Sequence, residues 1–358
     1  MTNLNPFLKL EIDLGKIVAN YKTLHQITGT ETSAVIKADA YGVGAIPVAQ
    51  ALFQAGCRKF YVATIDEAIE LREVLPPEAI IYVFNCFIEE HLPLLFEKNI
   101  IPVLTSLDQI KLYKKHGGTH YVLHFDTGMK RLSFPAESVA DVLKIIPADR
   151  VDWVMSHLAS ADDLEGPQNK QQLTLFKSII QHFPRSKYSL VASKGTNLGA
   201  EYFFDQTRPG IYLYGITPST ETEISKKLPM ALRMRAQILE VKSLKKGESV
   251  GYNATYTAVN PRRIASIGAG YADGIPVSYS NRNHFWLHNH PVPIIGRVSM
   301  DLTVIDITGI PESIGRVGEW VDLIHDPMSF YEMSKAAGSS PHEMLTRLGR
   351  RCNRVYKQ

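Results

Sequence analysis

The sequence predicts an α/β fold, a (β/α)8 barrel followed by a mainly-β domain, and three observations carry that prediction. From about residue 31 to residue 215, short apolar or β-branched runs alternate with stretches of helical period. Eight such runs fit in that span, the number that closes a parallel barrel. Beyond a polar stretch at 216–230 the helices drop out and strand-like runs follow one another. A doubly wound open sheet is the alternative for the first part, because strand count alone does not close a barrel.

Taken in order, LKLEIDL at 8–14 reads as a strand that either joins the second domain or leads into the barrel. The barrel runs are SAVIKA (33–38), KFYVAT (59–64), AIIYVF (79–84), IIPVLT (100–105), HYVLHFD (120–126), DWVMSHLA (152–159), KYSLVAS (187–193) and GIYLYG (210–215). Amphipathic segments such as DEAIELREVL and SLDQIKLYKKH lie between them, the pattern of βα units. ITPSTETEISKKLPM, polar and with two prolines, reads as a linker. MRAQILEVKSL, RRIASIG, PVPIIGRVS, DLTVIDIT and WVDLI then supply an all-β arrangement. The expected domains are 10–222 and 223–358, with residues 1–9 an added strand of the second.

Composition narrows the function class. The 358 residues carry 39 Lys+Arg against 36 Asp+Glu, a net charge of +3, too near balance to argue for nucleic acid or an anionic membrane. No apolar run approaches the ~20 residues that span a bilayer. The start, MTNLNPFLKLEID, lacks the basic and apolar regions of a secretory signal. Cys57, Cys86 and Cys352 are odd in number and widely spaced, which reads as buried small hydrophobes in a reducing, cytoplasmic compartment.

In a parallel barrel, chemistry gathers at the carboxyl ends of the strands. Lys37 ends the first run, where burial disfavours the ammonium and leaves an amine able to form a Schiff base. The Asp126–Arg131 segment follows the fifth run, His157 lies in the sixth, Ser193 ends the seventh and Arg208 precedes the eighth. Singly each has an ordinary structural reading: a strand-end charge, a loop charge, a core histidine, a helix cap. Together they place cationic groups and a hydroxyl on one rim, which favours an anionic ligand such as a phosphate or carboxylate.

AVIKADAYGVG, FDTGMKRLSF, MSHLASAD, SLVASKGT, RPGIYLYG, GYNATY, GAGYADG and GRVSMD occur in this order across both domains. On these segments the chain resembles the alanine racemase family, whose fold is a TIM-like (β/α)8 barrel with a β domain and whose cofactor is pyridoxal 5'-phosphate (PLP). The resemblance implies that Lys37 holds PLP and is the base on one face of the substrate. Tyr41, Ser193, the backbone N–H groups of Gly210 and Ile211, and His342 would hold the phosphate. Arg208 would face the pyridine nitrogen, and Arg131 the phenolic oxygen and the substrate carboxylate. Tyr252 would be the opposite base, linked to His157 and Arg208, and Tyr252, Tyr271, Met300 and Asp301 would reach the site from the partner in a homodimer. The implied activity is interconversion of L- and D-alanine, supplying D-alanine for peptidoglycan.

The residue types suit that chemistry. Racemisation removes a proton from one face and returns one to the other, so two acid/base groups must flank a planar carbanion. Tyrosine, with a pKa of about 10, needs ~4 kcal/mol of help to be half ionised near neutrality, which nearby positive charge supplies in part. Arginine at the pyridine nitrogen repels a proton there and weakens the electron sink, which is expected to suppress side reactions such as transamination.

Some positions depart from the family pattern. His124 stands where many members carry a carbamylated lysine that orients the arginine; His342 replaces a phosphate-contacting tyrosine; Ala192 replaces an asparagine. GAGYADG lacks the spacing and βαβ context of a dinucleotide loop. His284, His288 and His290 lack Cys or paired carboxylates to complete a metal shell, so no metal is expected. The competing readings are a racemase of another small amino acid, a barrel-type PLP-dependent decarboxylase and a non-enzymatic PLP carrier. A decarboxylase is expected to place an acid at the Arg208 position, and a carrier to lack the second domain.

Overall fold

A computed structural model describes residues 6–85, 87–217 and 222–358. Cys86 and part of the expected linker, 218–221, lie outside the described residues, as do 1–5. The chain divides into two compact units, Lys16–Pro229 and a unit made of the amino-terminal segment up to Gly15 with Met230–Gln358.

The first unit is a curled parallel sheet. Ala34–Val35, Lys59–Val62, Ile80–Val83, Ile100–Leu104, Tyr121–His124, Val151–Met155 and Lys187–Ser189 neighbour one another in chain order. Ring closure comes from the segment after residue 204. Gln206–Thr207 pairs in parallel with Glu31–Thr32. On its other side Asp205 N donates to Tyr188 O (3.1 Å) and Arg208 N to Val191 O (3.0 Å). Ser33 N to Thr207 O (3.0 Å) and Val35 N to Pro209 O (2.9 Å) complete the seam.

The eighth strand is therefore not the expected GIYLYG run. Residues Ile211–Tyr214 form a 3-10 turn that ends at Gly215 with φ 69°. All four side chains of the turn are buried. Gly210 N (2.8 Å) and Tyr212 N (3.3 Å) both donate to the Ser193 hydroxyl rather than to a neighbouring strand. Aromatic and branched residues fit strand and buried turn alike, which is why composition misreads this run.

Around the sheet, the helices carry the expected inward stripe. Ile65–Val74 starts in a capping box, Thr64 accepting from Glu67 N, and buries Ile65, Ala68 and Leu71. Pro167–Ile180 buries Leu173, Phe176 and Ile179, but also Asn169 and Gln172. Inside the barrel Tyr61 stacks on Tyr82 (centroids 4.6 Å apart) and donates to Gln206 Oε1 at 2.8 Å.

The second unit is mainly β. Its principal sheet runs His290–Pro293, His284–Leu287, Trp320–Ile324, Leu232–Leu244, Leu8–Asp13, Asn353–Lys357. Leu8–Asp13 lies antiparallel to Leu232–Leu244 and parallel to Asn353–Lys357. The 13-residue strand Leu232–Leu244 changes partner at an irregularity between Ile238 and Glu240, its far half pairing with Arg262–Ile267. Two helices, Pro327–Ala336 and Pro341–Thr346, precede the last strand. No helix among the described residues is long and apolar enough to cross a membrane.

Candidate active site

Lys37 follows Ile36 at the carboxyl end of the Ala34–Val35 strand, and the chain then turns with the wrong hand for L-residues. Ala38, Asp39, Ala40 and Tyr41 have φ of 53°, 53°, 52° and 62°. A left-handed turn costs about 1–2 kcal/mol per residue, so this one persists only because its surroundings hold it. Ala40 N donates to Ile36 O (2.9 Å) and Gly44 N to Asp39 O (2.9 Å). The Asp39 carboxylate accepts from Ala45 N (2.7 Å), and Ala38 N donates to Glu67 Oε1 (2.7 Å). The Lys37 amine lies 6.0 Å from the Phe84 ring centroid. Burial, and secondly the Arg131 charge, lower its pKa, opposed by Glu67.

The turn delivers the Tyr41 hydroxyl to Gly210. A Cβ added at Gly210 would stand 2.2 Å from that hydroxyl, so the approach requires glycine. The Tyr41 ring packs against Tyr214 with centroids 5.8 Å apart, and burial pushes its phenol pKa upward. The Ser193 hydroxyl, Gly210 N and Tyr212 N meet at the same place. Ile211, next in that turn, is buried beside them. A tyrosine hydroxyl, a serine hydroxyl and backbone donors form a cradle of the kind that holds a phosphate.

Arg208 is 3% exposed and buried without a charge partner among the described residues. It donates to Ser156 O (2.6 Å), to Leu190 O (3.4 Å) and to the Ser189 hydroxyl, all neutral oxygens. Burial brings its pKa down to about 10, so it stays cationic at neutral pH. A buried, unpaired guanidinium is costly, and its retention points to a ligand that faces it. Burial and the charges of Arg208 and Arg131 push His157 down to about 3, with His124 and Lys37 adding to the effect. His124 is held at about 3 by burial, Arg208 and Arg131, so both imidazoles are neutral.

Asp126 shapes the loop that carries Arg131 by accepting from Gly128 N (2.7 Å) and Met129 N (3.0 Å). Arg131 itself is exposed. Gln172, fully buried, ties this loop to the sixth strand end. Its amide donates to Thr127 Oγ1 and to His157 O, both at 3.0 Å, and accepts from Ala159 N at 2.8 Å. Sequence reasoning missed Gln172, Ser156, Ser189 and Glu67. For Gln172 the signal was present: a polar residue on the inward stripe of its helix. Thr64-x-x-Glu67 is a readable capping box, but nothing in it announces the reach to Ala38.

The remaining predicted residues belong to the second unit. Tyr252, in a short turn enclosed by Ser249–Val250 and Tyr256–Thr257, is 70% exposed. Tyr271, Met300 and Asp301 are brought together: Tyr271 N donates to Ser299 O and Ala272 N to Met300 O, both at 3.0 Å. Arg351 clamps the pair of loops, reaching Asp273 through two nitrogens (2.9 and 3.0 Å) and Asp301 at 2.7 Å. His342 sits in the helix Pro341–Thr346, whose cap is Ser340. His288 Nε2 lies 3.2 Å from Glu319, His284 packs edge-on against Trp286, and no three His, Cys, Asp or Glu side chains converge on a metal position among the described residues.

In the barrel unit, a desolvated amine, an anion cradle and an unpaired guanidinium fit a phosphorylated aldehyde cofactor: the amine for its carbonyl carbon, the cradle for its phosphate.

Comparison with known proteins agrees with this chemistry. Residues 12–218 match the family described as "Alanine racemase, N-terminal domain" and residues 231–356 the family "Alanine racemase, C-terminal domain". An alanine racemase of Brucella suis is 38% identical over 371 residues, covering 97% of this chain and 93% of the relative. Among solved structures, an alanine racemase of Bartonella henselae with covalently bound pyridoxal phosphate superposes with a TM-score of 0.90 at 35% identity, covering 98% of this chain and 99% of that one. A biosynthetic alanine racemase of Pseudomonas aeruginosa gives 0.90 at 31% identity over the same shares.

Proposed function

The chain belongs to the alanine racemase family, PLP-dependent isomerases, and we propose that it interconverts L- and D-alanine by a two-base mechanism in a homodimer. The observation that carries the reading is Lys37: a desolvated amine held by a strained turn whose other end presents Tyr41 to the Ser193–Gly210 cradle. PLP, when bound, supplies a conjugated system that spreads the charge left by removal of the α-proton. Lys37 would hold it, Tyr41, Ser193, Gly210 and Ile211 its phosphate, and Arg208 its ring nitrogen.

Lys37 removes or returns the proton on one face. Tyr252 of the partner subunit does so on the other, and its 70% exposure suits a group that acts outside its own unit. Arg208 favours the ionised phenol by its charge, and the neutral His157 by a hydrogen bond from its ring N–H. Arg131 takes the substrate carboxylate. The partner subunit's Tyr271, Met300 and Asp301 would line the substrate side and favour small amino acids. The product is D-alanine for the cell wall, made in the cytoplasm.

Purified protein treated with borohydride and peptide-mapped is expected to carry the reduced cofactor on Lys37. L-alanine in deuterated water is expected to lose optical rotation as α-deuterium enters. Carbon dioxide release would instead indicate decarboxylation, and bound cofactor without turnover a carrier. Tyr252→Phe is expected to lower turnover by at least about 100-fold while leaving the bound chromophore; full activity in that variant refutes the two-base assignment.

A further inference from the structure

We propose that Glu67 is a positioning residue for Lys37, its carboxylate clamping the first peptide of the left-handed turn onto the neighbouring βα unit. The inference rests on the role assigned to Lys37 above. One carboxylate oxygen, Oε1, accepts from Ala38 N at 2.7 Å, the amide directly after Lys37. The other, Oε2, accepts from Ala63 N at 2.7 Å and from Thr64 N at 3.3 Å. Glu67 thus does two things. It closes the cap of the helix Ile65–Val74, and it crosses to residue 38, 29 positions away in sequence.

The second task is not needed for the first. A capping box is satisfied by the contact to the cap residue alone, and glutamine serves there as well as glutamate. The geometry instead matches what the turn requires. Four consecutive non-glycine residues have positive φ, and the Ala38 amide at their start is held by this carboxylate. Asp39 secures the far end through Ala45 N. With the 37–38 peptide fixed, the Lys37 side chain leaves the strand end in one direction. Glu67 also faces the amine electrostatically, and the other charged or titratable groups that do so are Arg131 and His157. Arg131 disfavours the ammonium and Glu67 favours it.

Glu67→Gln separates the two tasks. Its single carbonyl oxygen can keep the cap, but its amide nitrogen then meets the Ala38 N–H donor against donor. Folding should survive, while PLP retention in the holoenzyme falls by about tenfold, the scale of one charge-assisted hydrogen bond. In the apoprotein, the pH midpoint of Lys37 labelling by an amine reagent should move down, because the favourable negative charge is gone. Asp66→Asn removes a charge from the same helical turn without touching Ala38 and should leave both readouts at wild-type values. If Glu67→Gln does not yield folded protein, Glu67→Asp keeps the charge, shortens the reach by one methylene, and should show the loss of PLP retention alone. Wild-type retention together with an unmoved Lys37 midpoint in Glu67→Gln, or wild-type retention in Glu67→Asp, overturns the proposal. Borohydride mapping of the wild-type protein is read first: no cofactor on Lys37 removes the functional reading, while the apoprotein midpoint still tests the clamp.

Discussion

Replacing Gly210 by alanine tests the geometry of the cradle with a single methyl group. The new Cβ would lie 2.2 Å from the Tyr41 hydroxyl, 2.8 Å from Cζ and 3.1 Å from Cε2. Ordinary contact begins near 3.4 Å, so the phenol must retreat by more than an ångström. It has little room, since Tyr41 is 8% exposed and its ring lies against the fully buried Tyr214. Overpacking of this kind costs about 1–3 kcal/mol. The backbone at Gly210, φ −124° and ψ −84°, lies outside the regions favoured by residues with a Cβ, so the single variant carries a backbone cost as well, and the contact is isolated by the double-variant cycle. Tyr41→Phe deletes the atom at 2.2 Å and leaves the next at 2.8 Å, relieving part of the clash. Urea unfolding of the wild type, both single variants and Gly210→Ala/Tyr41→Phe gives the coupling energy. We expect the double variant to be more stable than the sum of the singles predicts, by about 1 kcal/mol. Additivity within about 0.3 kcal/mol would mean that the methyl group and the phenol do not compete for the same space, and the cradle as described would be wrong.

Two further outcomes follow from buried titratable groups. Glu11 joins three strands of the β unit. Against burial, which raises its pKa, hydrogen bonds from Lys357, Arg235 and Lys9 hold it at about 2, compared with 4.5 unperturbed. A depressed carboxyl stabilises the fold above its unfolded pKa and loses that contribution as pH falls through the folded one. About 3 kcal/mol should therefore disappear between about pH 4.5 and pH 2, and Glu11→Gln should flatten that limb of the stability curve; a limb as steep as wild type contradicts the assignment. Burial pushes the Cys57 thiol up to about 12 and the Cys352 thiol up to about 11. Iodoacetamide at pH 8 should leave both unmodified in native protein and alkylate both in denaturant, and mass mapping that finds either labelled in the native state counts against the packing around it.

Much of the site was legible because its residues announce themselves locally. A lysine after Ala-Val-Ile and a serine after Leu-Val-Ala each end an apolar run, and in a parallel barrel all such ends share one rim; an arginine before Pro-Gly stands beside the eighth run. Less legible was what holds them. Gln172 reaches two strand ends from a helix, and Ser189 and Ser156 meet Arg208 only because non-adjacent stretches of chain come together. The misread GIYLYG run has the same origin, since its conformation is set by the Ser193 hydroxyl 17 residues upstream of Gly210.

By itself, then, the order of residues determined where apolar runs and helical periods fall, and which reactive groups stand at the ends of those runs. Both are properties of a few consecutive positions, readable from side-chain chemistry without knowing the path of the chain. The tertiary structure decided the left-handed turn after Lys37, the closing of the ring through Gln206–Thr207, and the placing of Leu8–Asp13 between Leu232–Leu244 and Asn353–Lys357. Each depends on hydrogen bonds between residues far apart in sequence. An L-residue turn of the disfavoured hand lies in a local minimum of higher energy that no sequence pattern favours, and persists only where distant acceptors such as Glu67 are in place.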